Sequence, residues 1–143
     1  MEISRRDFAH VATCAICAAA GLIPGVALAA DAPAGTATSG LTRKLLSQTD
    51  GPAAGYVTII AEVTIEPGVV VGRHTHPGIE SGYVVEGGLD LPIQGQSTRS
   101  LKPGDGFQVP AETPHAGGPN GAQKTKIVST YVVEKGKPLA TPA

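Results

Sequence analysis

The chain has 143 residues, enough for one domain with a single hydrophobic core. Its net charge is −1 and its Lys and Arg residues are scattered, so no basic surface for nucleic acid or an anionic membrane is indicated. The 19 Gly and 12 Pro residues favour many short elements joined by tight turns and argue against a helical bundle.

The first part of the chain has the pattern of an export signal. Arg5 and Arg6 precede an apolar stretch over residues 9–23, and a small-x-small sequence follows at residues 27–29. The paired arginines resemble a twin-arginine signal, which exports proteins already folded, although the residues that follow depart from the usual pattern. We therefore expect residues 1–29 to be a signal peptide and the mature protein to be periplasmic or secreted.

An uncleaved membrane anchor is the weaker interpretation of this segment. The apolar stretch has about 15 residues, whereas a spanning helix needs about 20. Both cysteines, Cys14 and Cys17, fall inside the stretch, so we predict no role for them in the mature protein. Residues 30–40 are rich in Ala, Gly, Pro, Ser and Thr and are expected to form a flexible leader.

Short β-branched runs separated by turn residues follow the leader. The predicted strands are residues 41–47 (an edge strand), 56–65, 69–71, 81–86, 89–93, 98–101, 107–109 and 124–133. Gly87 and Gly88 predict a tight turn, after which 89–93 is the returning strand. Residues 111–123 are expected to form a long loop, and the tail from Glu134 an arm or frayed end. The pattern indicates an all-β sandwich or barrel over residues 41–143.

Three histidines and one glutamate are the candidate metal ligands. His74 and His76 are two apart in an extended segment, so both imidazoles face the same side. Glu80 follows a Pro-Gly turn that can bring its carboxylate toward that side, and His115 lies on the distant loop. Each residue alone is ordinarily a solvated surface residue. Together they form a mixed nitrogen and oxygen set that suits Mn, Fe, Co, Ni, Cu or Zn.

The spacing of these residues carries a family resemblance. The two segments read Gly68-x5-His74-x-His76-x3-Glu80-x6-Gly87 and Gly104-x5-Pro110-x4-His115. They closely resemble the paired motifs of the cupin superfamily, and the resemblance covers roughly residues 56–133. It implies a single jelly-roll β-barrel with one metal inside, held by His74, His76, Glu80 and His115. It also implies that the protein forms a homodimer.

The second motif departs from the family pattern at turn positions. Glu112 stands where the family usually has Gly, and Pro119 stands where it usually has Asn, with Asn120 one step later. These departures concern the shape of the loop more than the metal ligands. We interpret Glu112 as an exposed turn residue, and the alternative is a second acid near the mouth of the cavity.

Residues around the ligands give weaker expectations. If Glu80 points inward, alternation along the chain that follows it points Gly82 and Val84 inward too, and Gly82 would leave space beside the metal. Phe107 and Val109 are candidates to line the same cavity. Tyr83 and Tyr131 could present a phenol to the site, but a Tyr on a strand is more often a packing residue, and we interpret them so.

Two functions are compatible with these residues. The resemblance implies an enzyme such as a quercetinase-type dioxygenase, a lyase, an isomerase or an oxalate-converting enzyme. Glu80 is the candidate catalytic residue, because the sequence indicates no other general base besides a water bound to the metal. The expected cavity wall of Val and Ile favours a small, partly apolar substrate over a sugar phosphate. The alternative is a non-catalytic metal- or ligand-binding protein of the cell envelope.

The predicted export route bears on the identity of the metal. Nitrogen and oxygen sites bind Cu and Zn more tightly than Mn or Fe. Folding before export would let the metal supply of the cytoplasm decide instead. We therefore expect one divalent ion, with Mn or Fe favoured over Ni, Cu and Zn. The expected partner is a small-molecule substrate or ligand, with no nucleic acid and no membrane for the mature form.

Overall fold

The computed structural model describes residues 39–143, and the export segment with most of the leader lies outside them. The described chain contains ten strands and no helix, which confirms the all-β prediction. They are β1 (Leu41–Asp50), β2 (Tyr56–Ile65), β3 (Val71–Thr75), β4 (Gly78–Glu86), β5 (Leu89–Leu91), β6 (Arg99–Leu101), β7 (Gly106–Val109), β8 (His115–Pro119), β9 (Thr125–Glu134) and β10 (Thr141–Pro142). Within this range, no helix is long and apolar enough to cross a membrane.

The strands form two antiparallel five-stranded sheets that make a jelly-roll barrel. The first sheet has the order β1-β2-β9-β4-β7 and the second has the order β10-β3-β8-β5-β6. β1 is an edge strand, as predicted, and it continues three residues further than the sequence indicated. The order also places β10, the last strand of the chain, at an edge of the second sheet.

Alternation along β2 and β9 builds the core of the first sheet. Every second residue of each strand is buried, as β-branched strands with one face on a core require. The buried residues of β9 include Ser129 and Tyr131 among aliphatic side chains. The apolar residues separate into two clusters, a larger one around Val84 and a smaller one around Ile59 and Val133. Polar groups therefore enter the core at the middle of the first sheet.

The predicted hairpin at Gly87 and Gly88 is wrong in its pairing. β4 pairs with β7 and β9 in the first sheet, whereas β5 pairs with β6 and β8 in the second. The chain therefore crosses between sheets at this turn. Gly87 has a φ of 73°, and a Cβ there would lie 2.3 Å from the carbonyl oxygen of Lys124. The predicted tight turn at Gly87 is confirmed. A local turn signal, however, does not identify the strand with which the next strand pairs.

Two segments predicted to be irregular contain strands. β8 lies within the expected loop 111–123 and occupies the centre of the second sheet, between β3 and β5. Its Gly117 passes close to Leu89, since a Cβ there would lie 3.2 Å from the Leu89 Cδ1 atom. The expected frayed tail contains β10, which pairs with Thr75 and His74 of the β3 region. Strand propensity does not predict β8 because it is rich in Gly and Pro. β10 is not predicted because its strand conformation depends on a partner far away in the sequence.

The space expected beside the metal at Gly82 is filled by Phe107. A Cβ on Gly82 would lie 2.2 Å from the Phe107 Cζ atom. The two residues are paired across β4 and β7, and Phe107 covers the glycine. The glycine therefore makes room for an aromatic ring of the core instead of leaving the space open.

Candidate metal centre

The four predicted ligands come from facing parts of the two sheets. His74 of β3 and His115 of β8 are paired across the second sheet. Glu80 lies on β4 in the first sheet, where it is paired with Val109 and Tyr131. His76 lies where the chain passes from β3 to β4. The crossing between the sheets therefore brings the HxH pair and the glutamate together, and β8 adds the distant histidine.

The side chains of these residues converge within the barrel. One ring nitrogen each from His74, His76 and His115 lies within 4.8 Å of the other two. The carboxylate Oε2 of Glu80 lies 3.1 Å from Nε2 of His76 and 3.3 Å from Nε2 of His115. His76, Glu80 and His115 are buried and His74 is half-buried, so the cluster is open to solvent on the His74 side.

Backbone carbonyls hold all three imidazoles in one orientation. Each Nδ1 atom lies within hydrogen-bond distance of a carbonyl oxygen. The partners of His74, His76 and His115 are the carbonyls of Gly72, Leu139 and Thr113, at 2.8, 2.5 and 3.0 Å respectively. Because a carbonyl oxygen only accepts, Nδ1 carries the proton and Nε2 of the neutral ring presents a lone pair toward the cluster. Metal-binding histidines are oriented in this way.

Glu80 is held ionised inside the core. Burial by itself raises the pKa of this carboxyl, but contacts with His115, His76 and Ser129 outweigh it and hold the pKa well below its usual range. The Ser129 hydroxyl donates to Glu80 Oε1 at 2.8 Å. Since Nδ1 of each ring is already a donor, Nε2 faces the carboxylate favourably only when a positive charge lies between them. That charge is either a proton on Nε2 or a metal ion.

The distances fit a metal ion of the first transition row. Bonds of about 2.0–2.2 Å place neighbouring ligand atoms about 3.0–3.5 Å apart. The two separations from Glu80 Oε2, 3.1 and 3.3 Å, lie in that range. Three imidazole nitrogens and one carboxylate oxygen are also donors that such ions accept. The two Glu80 separations therefore fit one divalent ion, and the four side chains together have the chemistry that such an ion accepts.

The pKa of His74 favours the neutral form that a metal ligand must have. Burial lowers its pKa from 6.5 to about 4, and the neighbouring imidazoles add to this effect. The hydrogen bond to the Gly72 carbonyl opposes it only in part. His74 is therefore uncharged at neutral pH and its Nε2 lone pair is available.

A cavity of about 50 Å³ lies beside the cluster. Its wall is largely aliphatic, as predicted, and includes Val63, Ile65 and Ile127. Phe107 also lines it, whereas Val109 does not line it and is buried in the same apolar cluster as Phe107. The cavity would admit a few waters or a small organic molecule.

Three polar residues of this cavity, Arg43, Ser129 and Tyr131, were not predicted as site residues. Tyr131 was interpreted as packing, but its ring centroid lies 5.1 Å from that of His76 and it lines the cavity. Burial and the Glu80 carboxylate raise the pKa of Tyr131, so its phenol stays protonated. Arg43 of β1 lines the cavity as well. Its inward direction follows from its pairing with Val63, which the sequence alone does not give.

Glu112 is an exposed turn residue, which agrees with the interpretation that we preferred to a second acid at the mouth of the cavity. Its φ is 54°, a left-handed conformation that favours Gly, which explains the residue usual in the family. The Glu112 N–H donates to the His76 carbonyl at 3.0 Å. The turn therefore fixes the backbone of a candidate ligand, while the carboxylate points to solvent.

A jelly-roll barrel with a histidine cluster facing its inner cavity defines a class of small β-barrel proteins suited to metal binding. The model of the cupin domain family matches residues 61–133, about half of the chain, and the chain belongs to this family. No curated protein matches the chain.

Solved structures share the fold. KdgF from Halomonas sp. is 25% identical, with a TM-score of 0.56 over 68% of this chain and 84% of that one. An RmlC-like cupin from Shewanella frigidimarina is 21% identical, with a TM-score of 0.58 over 69% and 81%. The DMSP lyase DddQ from Ruegeria pomeroyi is 17% identical, with a TM-score of 0.62 over 72% of this chain and 51% of that one.

The stability of the metal-free protein should fall as the pH is lowered from about 6.5 to 4. In this window the unfolded chain protonates His74, whereas the folded chain, in which its pKa is about 4, does not. Acid therefore favours unfolding, by about 1–2 kcal/mol once the partial exposure of His74 is allowed for. Below about 4.5 the lowered pKa of Glu80 adds a further loss of the same sign.

Urea unfolding of chelator-treated protein across this pH range measures the effect. The matched variant His74→Gln should lose the part of the slope above pH 4.5 and keep the part below it. A free energy of unfolding that stays constant between pH 6.5 and 4 would contradict the prediction.

Proposed function

We propose that this cupin binds one divalent metal ion through His74, His76, Glu80 and His115 and acts on a small organic substrate. The observation that carries the proposal is the position of Glu80. Its buried carboxylate faces two imidazole nitrogens whose Nδ1 atoms already donate to carbonyls. A cation at the centre of the cluster satisfies all of these atoms together.

The residues of the chain have distinct parts in the proposed activity. A bound ion would supply Lewis acidity toward an oxygen of the substrate. Ser129 holds the Glu80 carboxylate in place, and the aliphatic wall keeps water away from the reacting groups. Tyr131, protonated and buried, is available as a hydrogen-bond donor toward the cavity. Glu80 is assigned as a ligand. Its catalytic role stays a prediction, because a carboxylate with so low a pKa is a weak base.

The class of reaction is proposed only as dioxygenase-, lyase- or isomerase-type. DddQ shares only the fold with this chain, so its substrate is not carried over. A non-catalytic binding protein is the second candidate. One observation favours it. Among the described residues that line the cavity, none besides the candidate ligands could act as a general base at neutral pH.

Export and assembly complete the proposal. We propose that the protein is exported already folded and holds Mn or Fe acquired in the cytoplasm. Residues 1–38, which carry the export expectation, lie outside the described residues. The homodimer also stays a prediction.

The metal assignment predicts a loss of metal from ligand variants. Protein purified from its native compartment should contain close to one Mn or Fe per chain by elemental analysis. His76→Ala should lose most of it, and Glu80→Gln should weaken binding by about 10- to 100-fold because the charged oxygen is lost. Glu86→Gln, an exposed carboxylate on the same strand, should retain the wild-type content.

Retention of full metal content in His76→Ala would refute the site. Stoichiometric Zn or Cu in the native protein would refute only the proposed identity of the metal.

The end of the chain is predicted to support metal binding through His76. The Leu139 carbonyl accepts from His76 Nδ1, and β10 pairs with Thr75 and His74. Deleting residues 139–143 should therefore weaken metal affinity by about 10- to 100-fold, as loss of an orienting partner does. Deleting only 141–143 keeps the Leu139 carbonyl and should have a smaller effect.

Metal titration followed by calorimetry measures both deletions, and circular dichroism checks their fold. Lys137→Ala is the control, since its side chain pairs only with Glu134 at the surface among the described residues. Unchanged affinity after deletion of 139–143 would show that the tail does not support the site.

Turnover separates the enzyme from the binding protein. Fully metallated protein should convert at least one member of a panel of phenolic and dicarbonyl compounds supplied with dioxygen, and Glu80→Gln should abolish the conversion. Tight binding of a panel member without any conversion, at full metal content, would favour the non-catalytic candidate.

A further inference from the structure

Arg43 carries a buried polar atom that has no partner among the described residues. Its Nε lies out of contact with solvent, and none of the side chains or backbone groups described in the structure accepts a hydrogen bond from it. Buried donors are normally paired, because an unpaired one costs about 1–3 kcal/mol, more when charged. This nitrogen therefore indicates a ligand group that the described residues 39–143 do not provide.

The direction of the Arg43 side chain follows from its register. Arg43 is paired with Val63 across β1 and β2, and Val63 belongs to the buried face of β2. Residues opposite each other in antiparallel strands point to the same face. Arg43 thus lines the same cavity as His74, Glu80 and Tyr131. Lys44, the next residue, points to the exposed face.

The charges at the cavity favour an anionic occupant. Arg43 is the one Lys or Arg among the described residues that line it, and Glu80 is the one acid. With a divalent ion bound, the ion and Arg43 together outweigh the single negative charge of Glu80 and leave the cavity positive. The rest of the wall is mainly aliphatic and does not screen this charge as water would. An anion that enters the cavity is therefore attracted to it.

We propose that Arg43 binds the carboxylate of a small organic acid, and so sets the class of substrate that this site accepts. A guanidinium offers Nε–H and an adjacent Nη–H side by side, which matches the two oxygens of a planar carboxylate. The cavity of about 50 Å³ limits the acid to a small one. A sugar phosphate would call for more cations than this single one. Contact of the acid with a metal rests on the proposed function, whereas its contact with Arg43 does not.

Calorimetry with matched acids and amides tests the proposal. Pyruvate and glycolate should bind to the Mn-loaded protein, and pyruvamide and glycolamide, of nearly the same shape but uncharged, should bind at least 10-fold more weakly. Arg43→Gln should weaken binding of both acids by about 10- to 100-fold and leave the amides unaffected, because a charged, two-pronged hydrogen bond is lost.

Two further variants make the test specific. Lys44→Gln removes the same charge from the exposed face of the same strand and should bind the acids within twofold of wild type. Arg43→Lys keeps the charge but not the planar pair of donors and should fall between wild type and Arg43→Gln. Circular dichroism of each variant establishes whether it is folded. If Arg43→Gln does not fold, the affinity of Arg43→Lys for the acids tests the role of Arg43 instead.

The outcomes distinguish this inference from the proposed function. Equal affinity for acid and amide, no saturable binding of either acid, or wild-type affinity in both Arg43 variants would overturn the role of Arg43. Elemental analysis of Arg43→Gln should show unchanged metal content. Wild-type protein that takes up no metal, yet binds the acids in an Arg43-dependent way, would overturn the metal site and leave this inference standing.

Discussion

The site depends on one ionised carboxylate buried between two sheets. Removing a carboxylate from water is costly unless hydrogen bonds and an opposite charge compensate for it. Ser129 satisfies one oxygen of Glu80, and the other faces His76 and His115. Those imidazoles are oriented in turn by carbonyls from separate segments, the turn before β8 and the tail after β9. Several irregular parts of the chain are therefore arranged around a single charge, with Thr113 and Leu139 in hydrogen-bond contact with its imidazole partners.

The two sheets contribute different side chains to the site. The first sheet supplies Glu80, Ser129 and Tyr131, and the second supplies His74 and His115, with His76 at the crossing between them. The second sheet rests on short strands, which by themselves contribute little stability. A cation bound by both sheets would tie them together across the core. Metal binding and the packing of the barrel would then stabilise each other, as folding and metal binding commonly do.

How much the sequence predicts depends on whether the signal is local. β2 is recovered from Tyr56 to Ile65 because its alternation is continuous and free of Gly and Pro. The clustering of the four candidate ligands is predicted because the local spacing places His74, His76 and Glu80 together, and the family resemblance adds His115. β8 is missed because Gly117, Gly118 and Pro119 have the composition of a loop, and only pairing on both sides makes them a strand. Arg43 is missed for a related reason, since its inward direction depends on the register between two strands. The sequence therefore predicts the candidate metal ligands better than the residue proposed to select the substrate.

The first and last strands of the described residues, β1 and β10, connect ligand binding to the stability of two sheet edges. Each is an edge strand, with hydrogen-bonded neighbours on one side only. β1 carries Arg43, and β10 pairs beside His74 and follows the carbonyl that orients His76. Edge strands and chain ends usually open at a lower free energy than the core. Any ligand that needs these strands in place stabilises them by a free energy that grows with the logarithm of its concentration once that exceeds the dissociation constant. An acid bound to Arg43 would therefore hold β1 against the barrel, while a metal held by His74 and His76 would secure β10. The stability of β1 would then depend on the bound acid, and the stability of β10 would depend on the bound metal.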